Sequence, residues 1–425
     1  MGRSASLLLA GVVAAGCAMP PYVKTAYYGD LVSLKREIQS AAAKGKLDRA
    51  AVVDLASAVA RREVRSAQGD EAVQRIRASG SCARVVEPEL RARVDTGDDV
   101  GAEAMLVLID AGRVGKGSLV DKYAASPEGA WRAVAARASV RHDDGPRRRA
   151  FFVDADERVR RGALHAAFEA ADPADLEPLL ETARLDPDDA DRALAVRAAA
   201  TIGGERVSAA FVDLWPSQES EGRLALVEGW AMPRVYDQGG AVELVKLAES
   251  GDAIASVAAA GALARIGKAD ANVGRAALVR AIDNGTTDER ILAVEECPLT
   301  DPDAVAALAR AAHSDDPVVR VVALARQLEL PAERRTAQTA LEQIAKSDDA
   351  AARQARLALS VAGDSSAIPL LEQDLAAAGP DGRARAALGL FRLGRPAFTA
   401  FSLADGDPSV RMSVACAVVA ADASG

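Results

Sequence analysis

The sequence predicts an all-α protein assembled as a stack of two-helix repeats, and three observations carry that expectation. Half of the 425 residues are hydrophobic while only 4% are aromatic, a composition of close-packed, alanine-rich helices rather than of sheets, which favour β-branched and aromatic side chains. A short motif recurs in register along most of the chain. Each copy opens a stretch with apolar residues at helical spacing that ends at glycine. Mean hydropathy is +0.02, enough apolar content to bury a core and to argue against disorder. The 52 basic residues are outnumbered by 61 acidic ones, so the chain lacks the basic footprint of a duplex reader and nucleic acid is not an expected partner.

The motif is an acid, two residues, a small or β-branched apolar residue, Arg, two residues and an apolar residue. It stands complete at Asp156, Val159, Arg160 and Ala163; at Asp316, Val319, Arg320 and Ala323; at Asp381, Ala384, Arg385 and Leu388; and at Asp407, Val410, Arg411 and Val414. Asp349, Ala352 and Arg353 keep its first half, and Glu128, Trp131, Arg132 and Ala135 keep the register. Weaker copies start at Asp99, Glu221, Asp252 and Asp288, and one near Ala193 retains Val196, Arg197 and Ala200. From Asp99 to Asp407 the chain advances 308 residues in ten steps, about 31 per repeat, the signature of a stacked array.

Each part of the unit has a physical reading. An Asp before a helix accepts hydrogen bonds from the unpaired amides of the first turn, and Asp316-Pro317 and Asp407-Pro408 add a proline preset for the first helical position. The apolar residues three and seven after the acid share one face and point to the core. The helices end at Gly203, Gly267, Gly363 and Gly394, where left-handed caps are expected. A partner helix precedes each: Leu176–Arg184, Val242–Ser250, Val273–Asp283, Val305–His313, Thr336–Lys346 and Ile368–Ala378.

This unit resembles the HEAT repeat, in particular its short variety, from about Pro88 to Val419. The resemblance implies a right-handed α-solenoid, an armadillo/HEAT-like superhelix of roughly ten to eleven two-helix repeats over 86–425, with the second helix of each pair on the concave side. It also implies a ladder between the Asp and Arg residues of neighbouring repeats. Independently, a column of Arg about 10 Å apart needs interleaved acids to avoid repulsion. Residues 31–85 fit the period poorly and read as an N-terminal helical cap, formed by helices over Leu31–Lys44, Leu47–Ser66 and Ala72–Ala78, because terminal repeats need covering. No equivalent appears at the other end, so the apolar face of Ser409–Ala421 is expected to be uncovered and is a candidate partner site.

The amino terminus carries an address. Arg3, an apolar run over Leu7–Ala15 and the small residues Ala14, Ala15 and Gly16 before Cys17 form a segment too short to span a bilayer but suited to a secretion signal. Ala14-Ala15-Gly16-Cys17 resembles a bacterial lipobox, with Ala14 in place of its preferred Leu, which implies lipid attachment at Cys17 after removal of 1–16. Ordinary signal cleavage near the same residues is an alternative. So is N-myristoylation, whose pattern Met1-Gly2-Arg3-Ser4-Ala5-Ser6 fits, although the apolar run at once behind it speaks for export. Ala18, where enteric lipoproteins retained at the inner membrane carry Asp, favours the outer membrane. Residues 17–30, with Pro20 and Pro21, read as a lipid-anchored tether able to reach roughly 40 Å.

Candidate chemistry is sparse. His142, His165 and His313 lack metal-ligand spacing to Cys or to one another, and they are followed by Asp143, Ala166 and Ser314 rather than by the Glu of the HEAT-repeat iron enzyme deoxyhypusine hydroxylase. His165, between apolar residues, reads as a partly buried core residue. Beyond Cys17, the three cysteines Cys82, Cys297 and Cys416 permit one disulfide at most, and the apolar surroundings of Cys416 and the position of Cys297 before Pro298 read as buried thiols. There is no nucleophile elbow, phosphate-cradling loop or zinc-protease motif. Arg147, Arg148 and Arg149 form the densest basic run, a possible patch for an anionic partner. The chain therefore reads as an envelope lipoprotein without a catalytic centre or cofactor. It would act as a scaffold binding a protein or peptide on its concave face, with an accessory or lyase-like chaperone of a cofactor-bearing protein as the alternative. Oligomeric state is not specified.

Overall fold

The computed structural model describes residues 19–423, and among these there are helices and turns but no strand. Three helices open the chain: α1 (Pro21–Tyr28), α2 (Leu31–Ala43) and α3 (Arg49–Ser66). A less regular passage follows, with α4 (Asp70–Ala78), α5 (Ala83–Val94) and α6 (Asp99–Asp110). From there the helices come in pairs. They are α7 (Leu119–Tyr123) with α8 (Gly129–Ala138), α9 (Gly145–Phe151) with α10 (Glu157–Ala170), α11 (Leu176–Leu185) with α12 (Asp189–Ile202), and α13 (Glu205–Leu214) with α14 (Ser220–Ala231). A short α15 (Pro233–Val235) runs through a kink into α16 (Ala241–Ser250), which pairs with α17 (Ala253–Ile266). The remaining pairs are α18 (Ala271–Asn284) with α19 (Thr287–Glu296), α20 (Pro302–Ala311) with α21 (Pro317–Gln327), α22 (Arg334–Ile344) with α23 (Ala350–Val361), α24 (Ile368–Ala377) with α25 (Pro380–Arg392), and α26 (Pro396–Ser402) with α27 (Pro408–Ala423).

Small residues set the spacing of this packing. Ala133, Ala136, Ala163, Ala167, Ala199 and Ala260 are fully or almost fully buried. At Gly162 an added Cβ would lie 2.8 Å from the Ala133 carbonyl oxygen, so α10 rests on α8 with no room for a methyl group. Substituting a core this dense by even one methylene is felt. Gly203, Gly267, Gly363 and Gly394 all have φ between 70 and 79°; Gly267 is the left-handed cap that the repeat pattern calls for, whereas Gly203 combines the positive φ with an extended ψ of −175°.

The motif's arginine holds the turn before its own helix and grips the next layer. Arg132, Arg160, Arg192, Arg223, Arg290, Arg320, Arg383 and Arg411 each stand four residues after the residue that opens the helix. Their guanidinium groups donate back to carbonyl oxygens of the preceding turn, as from Arg160 to Asp154 (3.1 Å), Arg192 to Asp186 (2.7 Å) and Arg320 to Ser314 (2.9 Å). Several also reach a carboxylate of the following layer: Arg132 to Asp154 (2.9 Å), Arg160 to Asp186 (3.5 Å) and Arg383 to Asp405 (2.8 Å). These acids lie two residues before a helix-opening Asp, and each also accepts that residue's backbone N–H. At these steps the ladder is made by the acid of the turn and not by the capping Asp of the motif, which is occupied by the first-turn amides of its own helix; at α14 the helix-opening Asp252 of the next layer, which caps nothing, takes Arg223 instead (3.3 Å).

Several assigned registers shift as a result, and the weaker copies at Asp99, Glu221 and Asp288 open at Asp98, Glu219 and Thr286. The copy at Asp381 and Arg385 is displaced by two, since Gly379 opens α25 and Arg383 makes the contacts. The copy around Val196 and Arg197 belongs to Asp188 and Arg192. In α23, Arg353 stays half exposed, and Arg356 one turn later bonds the carbonyls of Ala345 (2.9 Å) and Ser347 (2.5 Å) and the carboxylate of Asp374.

The terminal face of α27 is covered. Val410, Val414 and Val418 share one buried cluster with Val52, Leu55, Ala56 and Val59 of α3, and α26 packs on both α2 and α3. The helix contacts thus run α3, α5, α6, α8 and onward through every second helix to α27, which meets α3 again. Arg411 continues the ladder across this seam: it bonds the turn carbonyl of Asp405 (2.7 Å) and donates to Glu63 through two bonds of 2.7 and 3.0 Å. Both side chains are at most 8% exposed. Cys82 and Cys416, 334 residues apart, form a disulfide with a Cα–Cα distance of 4.9 Å, within the range such bonds require. The expectations of an open terminal face and of a free Cys416 are both corrected, because the first helices cover the last. Only Cys297 matches the buried-thiol reading, its thiol pushed up to about 11 by burial.

The expected tether is shorter than its sequence suggests. Within 17–30, Pro21–Tyr28 is a helix whose Tyr22, Val23 and Ala26 are buried against α2 and α3. Among the described residues no helix is long and apolar enough to cross a membrane.

Breaking the seam should loosen both chain ends together. Replacing Arg411 by Met leaves the buried Glu63 with Arg75 as its remaining partner (3.2 Å), at a cost of about 1–3 kcal/mol, and Cys82→Ser should cost about 2–4 kcal/mol. Hydrogen exchange should then accelerate in α3 and α27 and stay unchanged in α12 and α14. Acid should also weaken the ladder. Asp154 is held below the usual carboxylate range by its hydrogen bond from Arg132, and Asp349 by the Ala352 amide. Their contribution is complete above about pH 4 and is lost as pH falls below it, so thermal melts should shift downward between neutral pH and pH 3.

Candidate functional site

The second helices share a face left free by their partners, and its composition follows one position. Nine residues after each helix-opening residue stand, from α8 to α25, Arg137, His165, Arg197, Glu228, Gly261, Glu295, Ala325, Ala358 and Leu388. Because every second helix begins at an equivalent point, these residues occupy equivalent places in consecutive layers. The row changes character along its length, from basic to acidic to apolar.

Two grooves lie along it. The first, of about 340 Å³, is lined by Val73 and Arg77 of α4, Asp99, Glu103, Leu106 and Asp110 of α6, Arg137 of α8, and Arg158, Arg161 and His165 of α10. Its cations are held in place by acids. Arg77 forms a two-point pair with Glu103 (2.7 and 3.1 Å), Arg158 reaches Asp99 (2.9 Å), and Arg161 reaches Asp191 (2.6 Å) on the next helix. Arg137 bridges Asp110 (2.8 Å) and Glu169 (3.1 Å), while Lys116 closes on Glu169 from the other side. Such fixed forks present donors and acceptors in set directions, which suits a polar, extended ligand.

His165 is exposed at the groove and not part of the core, which corrects the reading from its apolar neighbours: Ala163, Leu164 and Ala166 point inward while the imidazole points out. Partial desolvation by the groove walls, followed by the charge of Arg137, lowers its pKa. It is therefore neutral at physiological pH and can both donate and accept. Asp191 is shifted the other way, raised by burial against the pull of Arg161.

The second groove, of about 590 Å³, is bounded by Val322, Ala325, Ala358 and Val361 together with the polar side chains of Glu295, Arg326, Glu329, Arg334 and Gln354. Val361 is 68% exposed. Here the row passes from Glu295 to the small apolar Ala325 and Ala358, with the Arg326–Glu329 pair and Arg334 along the groove's flank.

The arginine run does not form an anion patch. Arg148 is fully buried and bonds Asp175 (2.5 Å) and Asp172 (3.1 Å), Arg149 pairs with Asp175 (3.1 Å), and Arg147 pairs with Asp121. Helix periodicity separates the three side chains, and acids from the neighbouring layer neutralise each. Cys17 lies outside the described residues. The groove residues were missed because they fall between motif positions; the signal that finds them is the residue nine after each helix opening.

No family model matches the chain, and no curated protein matches it. Among solved structures, an engineered protein determined by the Northeast Structural Genomics Consortium shares 18% identity over 88% of this chain and 98% of its own, with a TM-score of 0.26. At that score the likeness carries no structural argument.

The His165 titration tests the groove's electrostatics. Its NMR midpoint should lie below the usual value near 6.5 and should rise on Arg137→Gln. A midpoint that ignores the substitution would show that Arg137 does not act on the ring.

Proposed function

We propose that this chain is an envelope lipoprotein, anchored at Cys17 and facing the periplasm from the outer membrane, whose body is a right-handed HEAT-like solenoid of ten regular pairs plus irregular N-terminal layers. It serves as a non-enzymatic scaffold that holds an extended polypeptide along the concave face. The curvature finds support in the contacts: successive second helices pack extensively throughout, whereas from α7 to α24 successive first helices do so only at α11 with α13, α16 with α18 and α18 with α20. The second helices therefore lie on the shorter radius, and the row at position nine faces inward.

The observation that carries the functional reading is the gradation of that row, from Arg137 and His165 in the first groove to Ala325 and Ala358 in the second. A long curved surface that offers directed polar groups along its length, with apolar contact at some layers, fits a polypeptide better than a compact substrate. The carboxylates of the polar groove are each committed to an arginine, which speaks for recognition and not for acid–base turnover.

Photocrosslinking from defined positions tests this. A photoreactive residue at 165 or at 358 should give polypeptide adducts in intact envelopes, and the same residue at Val242, exposed on a first helix, should give few. Equal adducts at all three positions, or none from 165 and 358, would sink the reading.

A further inference from the structure

The first two helices carry a charge pattern unlike the rest of the molecule. Only nine lysines occur in the chain, and four of them, Lys24, Lys35, Lys44 and Lys46, fall within 23 residues. All four are exposed, as is Arg36. Across residues 19–54 there are six cations against four acids, in a chain that as a whole carries 52 against 61. Two of those four acids, Asp30 and Asp48, are occupied as helix caps by the amides of Ser33 and Ala51 (both 2.8 Å). The lysines, in contrast to most arginines of the body, make few ion pairs: among the described contacts, Lys44 bonds only the Ser40 hydroxyl (3.0 Å).

Apolar residues are exposed among them. Val32 and Tyr28 are each 70% exposed and Met19 53%. On α2, Val32, Lys35 and Arg36 lie on one stripe, opposite the buried Leu34, Ile38 and Ala41. On α1, Lys24 and Tyr28 are one turn apart on the side away from the buried Tyr22, Val23 and Ala26.

The place where the chain enters the folded body fixes what this surface meets. Pro20, Pro21 and Tyr22 border one cleft with Lys44 and Lys46, which Glu37, Asp48 and Asp54 also line, and both lysines are exposed. Cys17 precedes Pro20 by three residues, a reach of about 10 Å at most. An acyl chain on Cys17 would therefore enter the bilayer beside these two lysines. We propose that α1, α2 and the loop carrying Lys44 and Lys46 form a membrane-contacting face that binds anionic lipid headgroups. The lysines supply the electrostatic attraction, and Met19, Tyr28 and Val32 insert at the headgroup boundary. The inference rests on the lipoprotein reading only for the position of the anchor, since the headgroup contact does not require the acyl group.

The test uses the full chain carrying Cys17→Ser, so that no acyl group contributes. Its flotation is compared on phosphatidylcholine vesicles and on vesicles containing about 30% phosphatidylglycerol. Binding should be at least about tenfold stronger on the anionic vesicles and should fall on raising the salt. The quadruple substitution Lys24→Ser, Lys35→Ser, Lys44→Ser and Lys46→Ser should reduce it to the neutral-vesicle level, and the corresponding four Lys→Arg changes should restore it. Equal flotation on both vesicles, an undiminished serine variant, or an arginine variant that fails to restore binding would each overturn the proposal. Mass spectrometry of the amino-terminal peptide of the Cys17 protein reads acylation separately, so failure of the anchor reading is distinguishable from failure of the headgroup face.

Discussion

A two-helix layer of this chain cannot shield its own apolar side, and everything else in the structure answers that constraint. The helices are rich in alanine and glycine, so each layer buries area only by lying very close to another, as α10 lies on α8 at Gly162. Close approach of backbones would leave the turns between helices with unpaired carbonyls at the edge of the contact. The arginine four residues into most second helices supplies those carbonyls with donors, and at several steps it ties the turn to the next layer's acid. The same device recurs at the seam, where Arg411 finds Glu63 in place of a turn Asp. Stacked helical layers need their two ends covered; here the first and last helices cover one another.

How much of this was legible depended on whether the information was local. Helix positions follow from capping and periodicity, and the paired helices stand within a few residues of their expected bounds, as at Leu176–Leu185 and Ile368–Ala377. The identity of the ladder acid was less legible, because Asp154 and Asp156 are equally acidic on paper and only the geometry shows that one is consumed by its own helix. Closure was not legible at all. Nothing near Cys82 announces Cys416, and nothing near Glu63 announces Arg411, since the contacts join positions more than 330 residues apart. The buried state of Arg148 has the same origin: its partners Asp172 and Asp175 come from the following repeat turn. A run of three arginines in sequence therefore says little about a basic surface in a chain whose layers are rich in acids.

The distribution of cation type is informative where their number is not. Many arginines in the body are structural forks, spent on a turn carbonyl or a carboxylate, as the planar guanidinium permits. Lysines hold a point charge on a loose stem, and four of the nine fall on α1, α2 and the loop after them, exposed to solvent. The body and its amino-terminal face thus use positive charge for two ends, internal fastening in one and outward attraction in the other.

Closing the circuit also changes what the architecture tolerates. An open array of layers can lengthen or shorten by one unit and keep every remaining interface, which is how such arrays diversify. In this chain α27 must arrive opposite α3 with Arg411 level with Glu63, so the sum of the small rotations between layers has to come to one full turn. Loss or gain of a single layer would leave a gap or an overlap at the seam, and the number of layers is thereby held constant by geometry.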